Sequence, residues 1–148
     1  MKIEGYFSFP DIAPQTVWNF LTDPARIAEC LPGCERLTKV EAETYEMRIR
    51  VGIGAIRGTY TGTIRLHDLT PPSEYRMAVT GNGTGGFMNG AGTVRLTAST
   101  GGTLLEYAGE LEVGGPIAAV GQRMVGGAAR MVSDQFFRCV AGKLNPPA

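Results

Sequence analysis

Between Tyr45 and Val113 the chain keeps a period of two. Tyr45, Met47, Ile49 and Val51 alternate with Glu46, Arg48 and Arg50. Tyr60, Gly62, Ile64 and Leu66 alternate with Thr59, Thr61, Thr63 and Arg65; Tyr75, Met77 and Val79 alternate with Arg76 and Thr80. Gly92, Val94 and Leu96 alternate with Thr93, Arg95 and Thr97, and Leu105, Tyr107, Gly109, Leu111 and Val113 with Glu106, Glu110 and Glu112. Such segments form antiparallel strands with one face packed and the other in water. A sheet with one apolar face has to cover it. The only long element left to do so is VGGPIAAVGQRMVGGAARMVSDQFFRCV, Val113 to Val140, which reads as one helix. A curved sheet wrapped around that helix is the economical solution.

The N-terminal part completes the order. Residues 2–9 alternate as a strand. Pro14 marks a helix start, with Val17, Trp18 and Leu21 at helical spacing. Asp23-Pro24 opens a second short helix that ends at Leu31-Pro32-Gly33. The expected architecture is α+β, in the order β-α-α, six strands of a meander, then the helix: a seven-stranded antiparallel sheet in one domain over residues 1–148.

Composition excludes several functions. Fourteen Lys and Arg balance fourteen Asp and Glu, so no nucleic-acid footprint is expected. MKIEGYFSFPD lacks the apolar run of a signal peptide, and no apolar stretch reaches membrane-spanning length. With three cysteines, Cys30, Cys34 and Cys139, reduced thiols in a cytoplasmic protein are expected. Cys30 and Cys34 without a second pair make a poor zinc site, and the single histidine, His67, has no nucleophile motif beside it. GNGTGG (81–86) spells a dinucleotide fingerprint, but the FMNGAGTVRL after it reads as a strand, so no helix end would meet a phosphate. Glu106, Glu110 and Glu112 read as a solvated face.

On a helical wheel Ile117, Gly121, Met124, Val125, Ala128, Met131, Val132, Gln135, Phe136 and Cys139 fall on one arc, opposite Arg123, Arg130 and Asp134. Gly121 and Ala128 lie near its middle and are expected to face Gly62, Gly92 and Gly109 of the strands. Small residues on both sides bring backbones close or leave a cavity. The expected cavity wall comprises Tyr60, Gly62, Met77, Gly92, Tyr107, Gly109, Ile117, Gly121, Met124, Ala128, Met131 and Gln135. Gln135, the one polar side chain on the arc, has two readings: orienting a quinone carbonyl, or bonding backbone. Meander topology puts the turns at 52–58 and 82–89 beside the helix start. Ile53, Ile56, Arg57, Phe87 and Met88 then form either a mouth for an apolar ligand or a plug for the core. Gly126, Gly127 and Phe137 fall off the apolar arc, suggesting a docking face or a hinge.

LPGCE (31–35), VGIGAIRGTYTG (51–62), the glycine-rich stretch 81–86 and VGQRMVGGAARMVSDQFF (120–137) resemble the carbon monoxide dehydrogenase G-subunit (CoxG) family. The element order is similar to the helix-grip fold of the START and pollen-allergen superfamily (SRPBCC). The resemblance implies a non-catalytic accessory protein, without cofactor, whose partner is a molybdenum hydroxylase of the carbon monoxide dehydrogenase type. It also implies a link to the membrane or its quinone pool, with a quinone or lipid as the hydrophobic ligand. Some members carry a membrane-anchoring tail; Asn145-Pro146-Pro147-Ala148 is not one, so only transient, peripheral contact at the inner face of the membrane is expected. Two alternatives stand beside the carrier. One is an assembly or recruitment module with no ligand. The other is an enzyme, for which the inward polar groups are Tyr45, Tyr60, Tyr75, Tyr107 and Gln135.

Overall fold

The computed structural model describes residues 1–54 and 56–144; residues 145–148, on which the expectation about a membrane anchor rests, lie outside them. Strand β1 (Lys2–Pro10) leads into helix α1 (Pro14–Leu21), whose proline sits in the first turn, where an N–H is not needed. Helix α2 (Pro24–Cys30) starts under the Asp23 carboxylate, which accepts from the Ala25 N–H at 3.1 Å. The meander follows as β2 (Cys34–Glu41), β3 (Thr44–Ile53), β4 (Ile56–Thr70), β5 (Glu74–Gly83), β6 (Gly86–Ser99) and β7 (Gly102–Gly114). The seven strands lie in the order β1-β7-β6-β5-β4-β3-β2, each antiparallel to its neighbour. A 3-10 turn (Gly115–Val120) and helix α3 (Gln122–Leu144) complete the fold.

Register carries the alternation across the sheet. Gly109 pairs with Gly92, Gly92 with Met77, Met77 with Leu66, and Met47 with Gly62. All the apolar parities named above therefore share one concave face. The glycines on it are packing requirements. A Cβ on Gly92 would lie 2.6 Å from the Ala108 carbonyl oxygen, and one on Gly109 2.5 Å from that of Ala91. A Cβ on Gly62 would overlap the carbonyl of Thr80. At these positions the sheet bends so tightly that the neighbouring backbone takes the side chain's place.

The expected continuous helix from Val113 does not form. Val113 is paired with Met88 in the sheet, and α3 begins only at Gln122. Gly115 (φ 76°) and Gly121 (φ 91°) adopt left-handed backbone, which side chains disfavour, and so bracket the 3-10 turn. Gly121 is a joint: its N–H donates to the Ala118 carbonyl and its own carbonyl accepts from the Val125 N–H.

The packed face of α3 also differs from the wheel. Val125, Phe137 and Val140 are buried, whereas Met124 and Met131 are about half exposed, at 50% and 47%. Gln135 is exposed as well. The helix is turned by roughly one residue, about 100°, from the expected arc. Phe137 decides the rotation. Its ring meets Phe7 at 5.7 Å, Phe9 at 6.4 Å and Tyr107 at 5.8 Å between centroids, an aromatic cluster that two methionines could not replace.

Cys30 and Cys139 are joined in a disulfide with Cα atoms 5.4 Å apart, which corrects the expectation of reduced thiols. It ties α3 to α2, beside an ion pair of Lys143 with Glu29 at 3.7 Å. Cys34 keeps a free thiol, and burial pushes its pKa up, so its nucleophilic thiolate form is disfavoured.

The glycine pair inside α3 now divides. A Cβ on Gly126 would come within 3.7 Å of the Met1 sulfur, so Gly126 lies beside the residue that precedes β1. Gly127 is exposed with nothing within 4 Å, and no contact explains it. Gly127→Ala is expected to stabilise the protein by about 0.5–1 kcal/mol through helix propensity and a less flexible unfolded chain. Thermal unfolding checks this: a midpoint unchanged or lowered would mean that Gly127 meets something.

Candidate ligand groove

Two buried clusters occupy opposite ends of the concave face. The larger gathers α1, Cys30 of α2, Phe137 and Val140 of α3, and Tyr45, Leu66, Tyr75, Val94, Leu96 and Leu105 of the sheet. The smaller joins Ile56, Tyr60, Ile117 and Val125, with Val51, Met88, Leu111, Val113 and Ala128 against it. Between them runs a strip that belongs to neither. Its apolar members are Met47 of β3, which is buried, and Ile3 of β1, Ile49 of β3, Val79 of β5 and Val132 of α3, which are half-buried. Gly62, Gly90, Gly92 and Gly109 fall in the same strip and supply no side chain to fill it. Helix α3 packs chiefly on β1, α1, α2 and the 3-10 turn; the middle strands β3 to β6 are not among its main partners. The seam between α3 and the middle of the sheet is therefore apolar, poor in side chains and incompletely covered.

The expected wall residues separate by this geometry. Gly62, Met77, Gly92, Tyr107 and Gly109 are half-buried on the concave face, Tyr60 and Ile117 are buried, and Ala128 is half-buried against the smaller cluster. Gly121, Met124, Met131 and Gln135 do not join them. All four are exposed, and the three that belong to α3 lie on the flank that also carries Cys139, toward α2. The helix residue at the strip is Val132. It was on the expected arc but outside the expected wall. Val79, likewise missed, was legible from its alternation with Met77.

The expected mouth residues also part. Ile56 is buried and Ile53 and Met88 are half-buried. Phe87 lies on the convex parity, over Gly114, with 36% of its surface exposed. Arg57 is exposed, and its Nε–H donates to the Gly54 carbonyl at 2.9 Å, fastening the β3–β4 turn. With Ile56, Tyr60, Ile117 and Val125 in contact, this end of the groove is plugged. Two open depressions lie outside the plug. One, of about 540 Å³, is bounded by Met1, Gly90, Leu111, Val113 and Gln122 among others; the other, of about 550 Å³, by residues 50–52 and 57–59.

GNGTGG serves packing. A Cβ on Gly83 would approach the Tyr60 ring at 3.0 Å and overlap the Thr59 carbonyl, and one on Gly85 would overlap the Tyr60 hydroxyl. These glycines let the β5–β6 turn close over a tyrosine.

The chemistry available in the groove is limited. Tyr75 is buried edge-on to Trp18 at 5.5 Å, and desolvation raises its phenol pKa beyond the usual range. Burial, then the nearby Glu43 carboxylate, raises that of Tyr45. Both phenols stay protonated at neutral pH. His67 lies on β4 beside Asp68, with Nδ1 and Oδ2 3.0 Å apart. Glu106, Glu110 and Glu112 are exposed. Among the described residues no three His, Cys, Asp or Glu side chains are grouped to hold a metal, and no helix is long and apolar enough to cross a membrane.

The profile of the family described as the carbon monoxide dehydrogenase G-subunit (CoxG) matches residues 10–145. A conserved protein from Geobacillus kaustophilus has a crystal structure with TM-score 0.93 and 33% identity, the match covering 97% of this chain and 95% of that one. A protein from Chromobacterium violaceum aligns with TM-score 0.75 at 18% identity, over 99% and 98% of the two chains. One from Thermus thermophilus aligns with TM-score 0.73 at 14% identity, over 97% of each. The last two likenesses are of fold alone. No curated protein matches the sequence.

Proposed function

Because the chain belongs to the carbon monoxide dehydrogenase G-subunit (CoxG) family, we propose that it is a non-catalytic carrier serving a molybdenum hydroxylase of the carbon monoxide dehydrogenase type. Its cargo is a hydrophobic molecule, an isoprenoid quinone or a lipid, held between α3 and the sheet. It touches the inner face of the membrane transiently. The observation that carries this reading is the strip between the two clusters. Ile3, Ile49, Val79 and Val132 remain half-buried there, beside glycines that carry no side chain to cover them. Unfilled apolar surface gains by covering, at about 25 cal/mol for each Å² removed from water. Half-burial of four aliphatic side chains is unfavourable for a core and suitable for a binding site.

Native mass spectrometry of protein purified without detergent tests it. The expected result is an adduct that organic solvent extracts as a quinone or lipid. Ligand-free protein that also fails to take up a short-chain quinone would sink the carrier.

The competing reading, a recruitment module without a ligand, draws on the plugged end and on the exposed Met124 and Met131. Filling the groove discriminates. Gly92 and Gly121 are unsuitable sites, one against backbone and the other an exposed joint at positive φ. Val132→Phe puts bulk into the strip directly. Loss of ligand with loss of function supports the carrier; full function with a filled groove supports the module.

A further inference from the structure

Tyr60 is 5% exposed, and its hydroxyl oxygen is, among the described residues, the one buried side-chain nitrogen or oxygen without a hydrogen-bond partner. The buried Thr103 shows the ordinary arrangement, its hydroxyl donating to the Ile12 carbonyl at 2.6 Å. A buried hydroxyl left unpaired is costly, so each one calls for an explanation. A Cβ on Gly85 would also come within 3.3 Å of the Arg57 carbonyl oxygen, so an acceptor lies close to the hydroxyl without bonding it. The neighbours in its cluster are Ile56, Ile117 and Val125, and a phenylalanine would fill the same volume. The hydroxyl lies beneath the glycines of the β5–β6 turn, where a Cβ on Gly85 would overlap it. That turn is fastened to the 3-10 turn by the Ile117 N–H, which donates to the Gly85 carbonyl at 2.8 Å. The unpaired donor therefore sits at the plugged end of the groove, between the elements that would have to part for a ligand to reach it. Gln135, the polar side chain of the α3 arc, is exposed and far from such a position.

We propose that the Tyr60 hydroxyl is the specificity donor of the groove, holding a carbonyl oxygen at the polar end of an otherwise apolar ligand. The inference rests on the carrier reading and deepens it. A quinone carbonyl and a lipid ester carbonyl present the same acceptor. When the turn at 84–86 gives way, the phenol O–H donates to that oxygen, and a hydroxyl unpaired in the empty protein becomes paired in the complex.

Three probes with similar tails test it against wild type and Tyr60→Phe: a decyl-substituted benzoquinone, an ethyl ester of decanoic acid, and decylbenzene, which has no acceptor oxygen. Affinities by titration calorimetry and unfolding midpoints of the ligand-free proteins are read together. Tyr60→Phe is expected to bind the favoured carbonyl probe roughly three- to tenfold more weakly, the worth of one neutral hydrogen bond. Decylbenzene binding is expected to be unchanged and the unfolding midpoint equal or higher. The carbonyl probe that weakens identifies the source as quinone or ester. Equal affinity of both proteins for both carbonyl probes overturns the donor role while leaving the carrier intact. A lowered midpoint overturns it too, because the hydroxyl would then have a partner in the empty protein. Wild type that binds none of the three overturns the carrier, and the donor role falls with it.

Discussion

Gly62→Ala is expected to cost the protein about 3 kcal/mol or more, above the usual range for an added methyl group in a packed core. The added carbon would fall on the Thr80 carbonyl and crowd the α-carbon of Gly81. Backbone cannot step aside as a flexible side chain can, so the sheet has to open between β4 and β5. Gly52→Ala is the control: it lies near the β3–β4 turn with nothing within 4 Å, and is expected to be neutral or slightly stabilising. Urea unfolding compares them. Equal midpoints for Gly62→Ala and wild type would mean that the strands do not approach so closely, and the glycines would return to being cavity walls. The result also bears on function, because the bend that excludes a side chain at Gly62 leaves the neighbouring strip unfilled.

Breaking the Cys30–Cys139 disulfide is the second large effect. The cysteines are 109 residues apart in a chain of 148, so the cross-link closes a loop of about three quarters of its length. In the chain-entropy account a loop of that size contributes roughly 4–5 kcal/mol, with 2–5 kcal/mol typical of measured removals. Helix α3 is also held at this end by the buried Phe137 and Val140, but the polar tie there, the Lys143–Glu29 ion pair, is half exposed and worth little. Cys139→Ser and reduced wild type are expected to unfold at matching, lower urea concentrations. Thiol titration in denaturant is expected to find one free thiol in the oxidised protein, that of Cys34, and three after reduction. Three thiols without reductant, with no shift on adding one, would overturn the tether. The groove also depends on this bond. It fixes the end of α3 where Phe136, Phe137 and Val140 pack, and with it the angle at which Val132 faces the strip.

Much of the sheet was legible because alternation is local. A strand residue two positions from Tyr107 shares its face whatever the rest of the chain does, so Gly109 and Leu111 could be assigned from the alternation. The same logic placed Gly62, Met77 and Gly92 on the concave side. The helix was less legible. Met124, Met131 and Phe136 are apolar, as are Phe137 and Val140, while glycine and alanine between them favour no side. A wheel with apolar residues on two flanks does not choose one. The helix boundary failed for a related reason: Pro116-Ile117-Ala118-Ala119-Val120 suits a helix in composition, but two glycines at positive φ turn it into a separate 3-10 turn.

Period and turn chemistry thus establish the order of elements, the face of each strand and the presence of one long terminal helix, since these depend on residues a few positions apart. The CoxG-like motifs established the family on the same local footing. Three things waited for the tertiary structure. They are the rotation of α3, set by an aromatic cluster drawn from three elements; the pairing of Cys30 with Cys139; and the unpaired hydroxyl of Tyr60 under the glycines of GNGTGG. Each joins residues distant in the chain, and only packing brings them within reach.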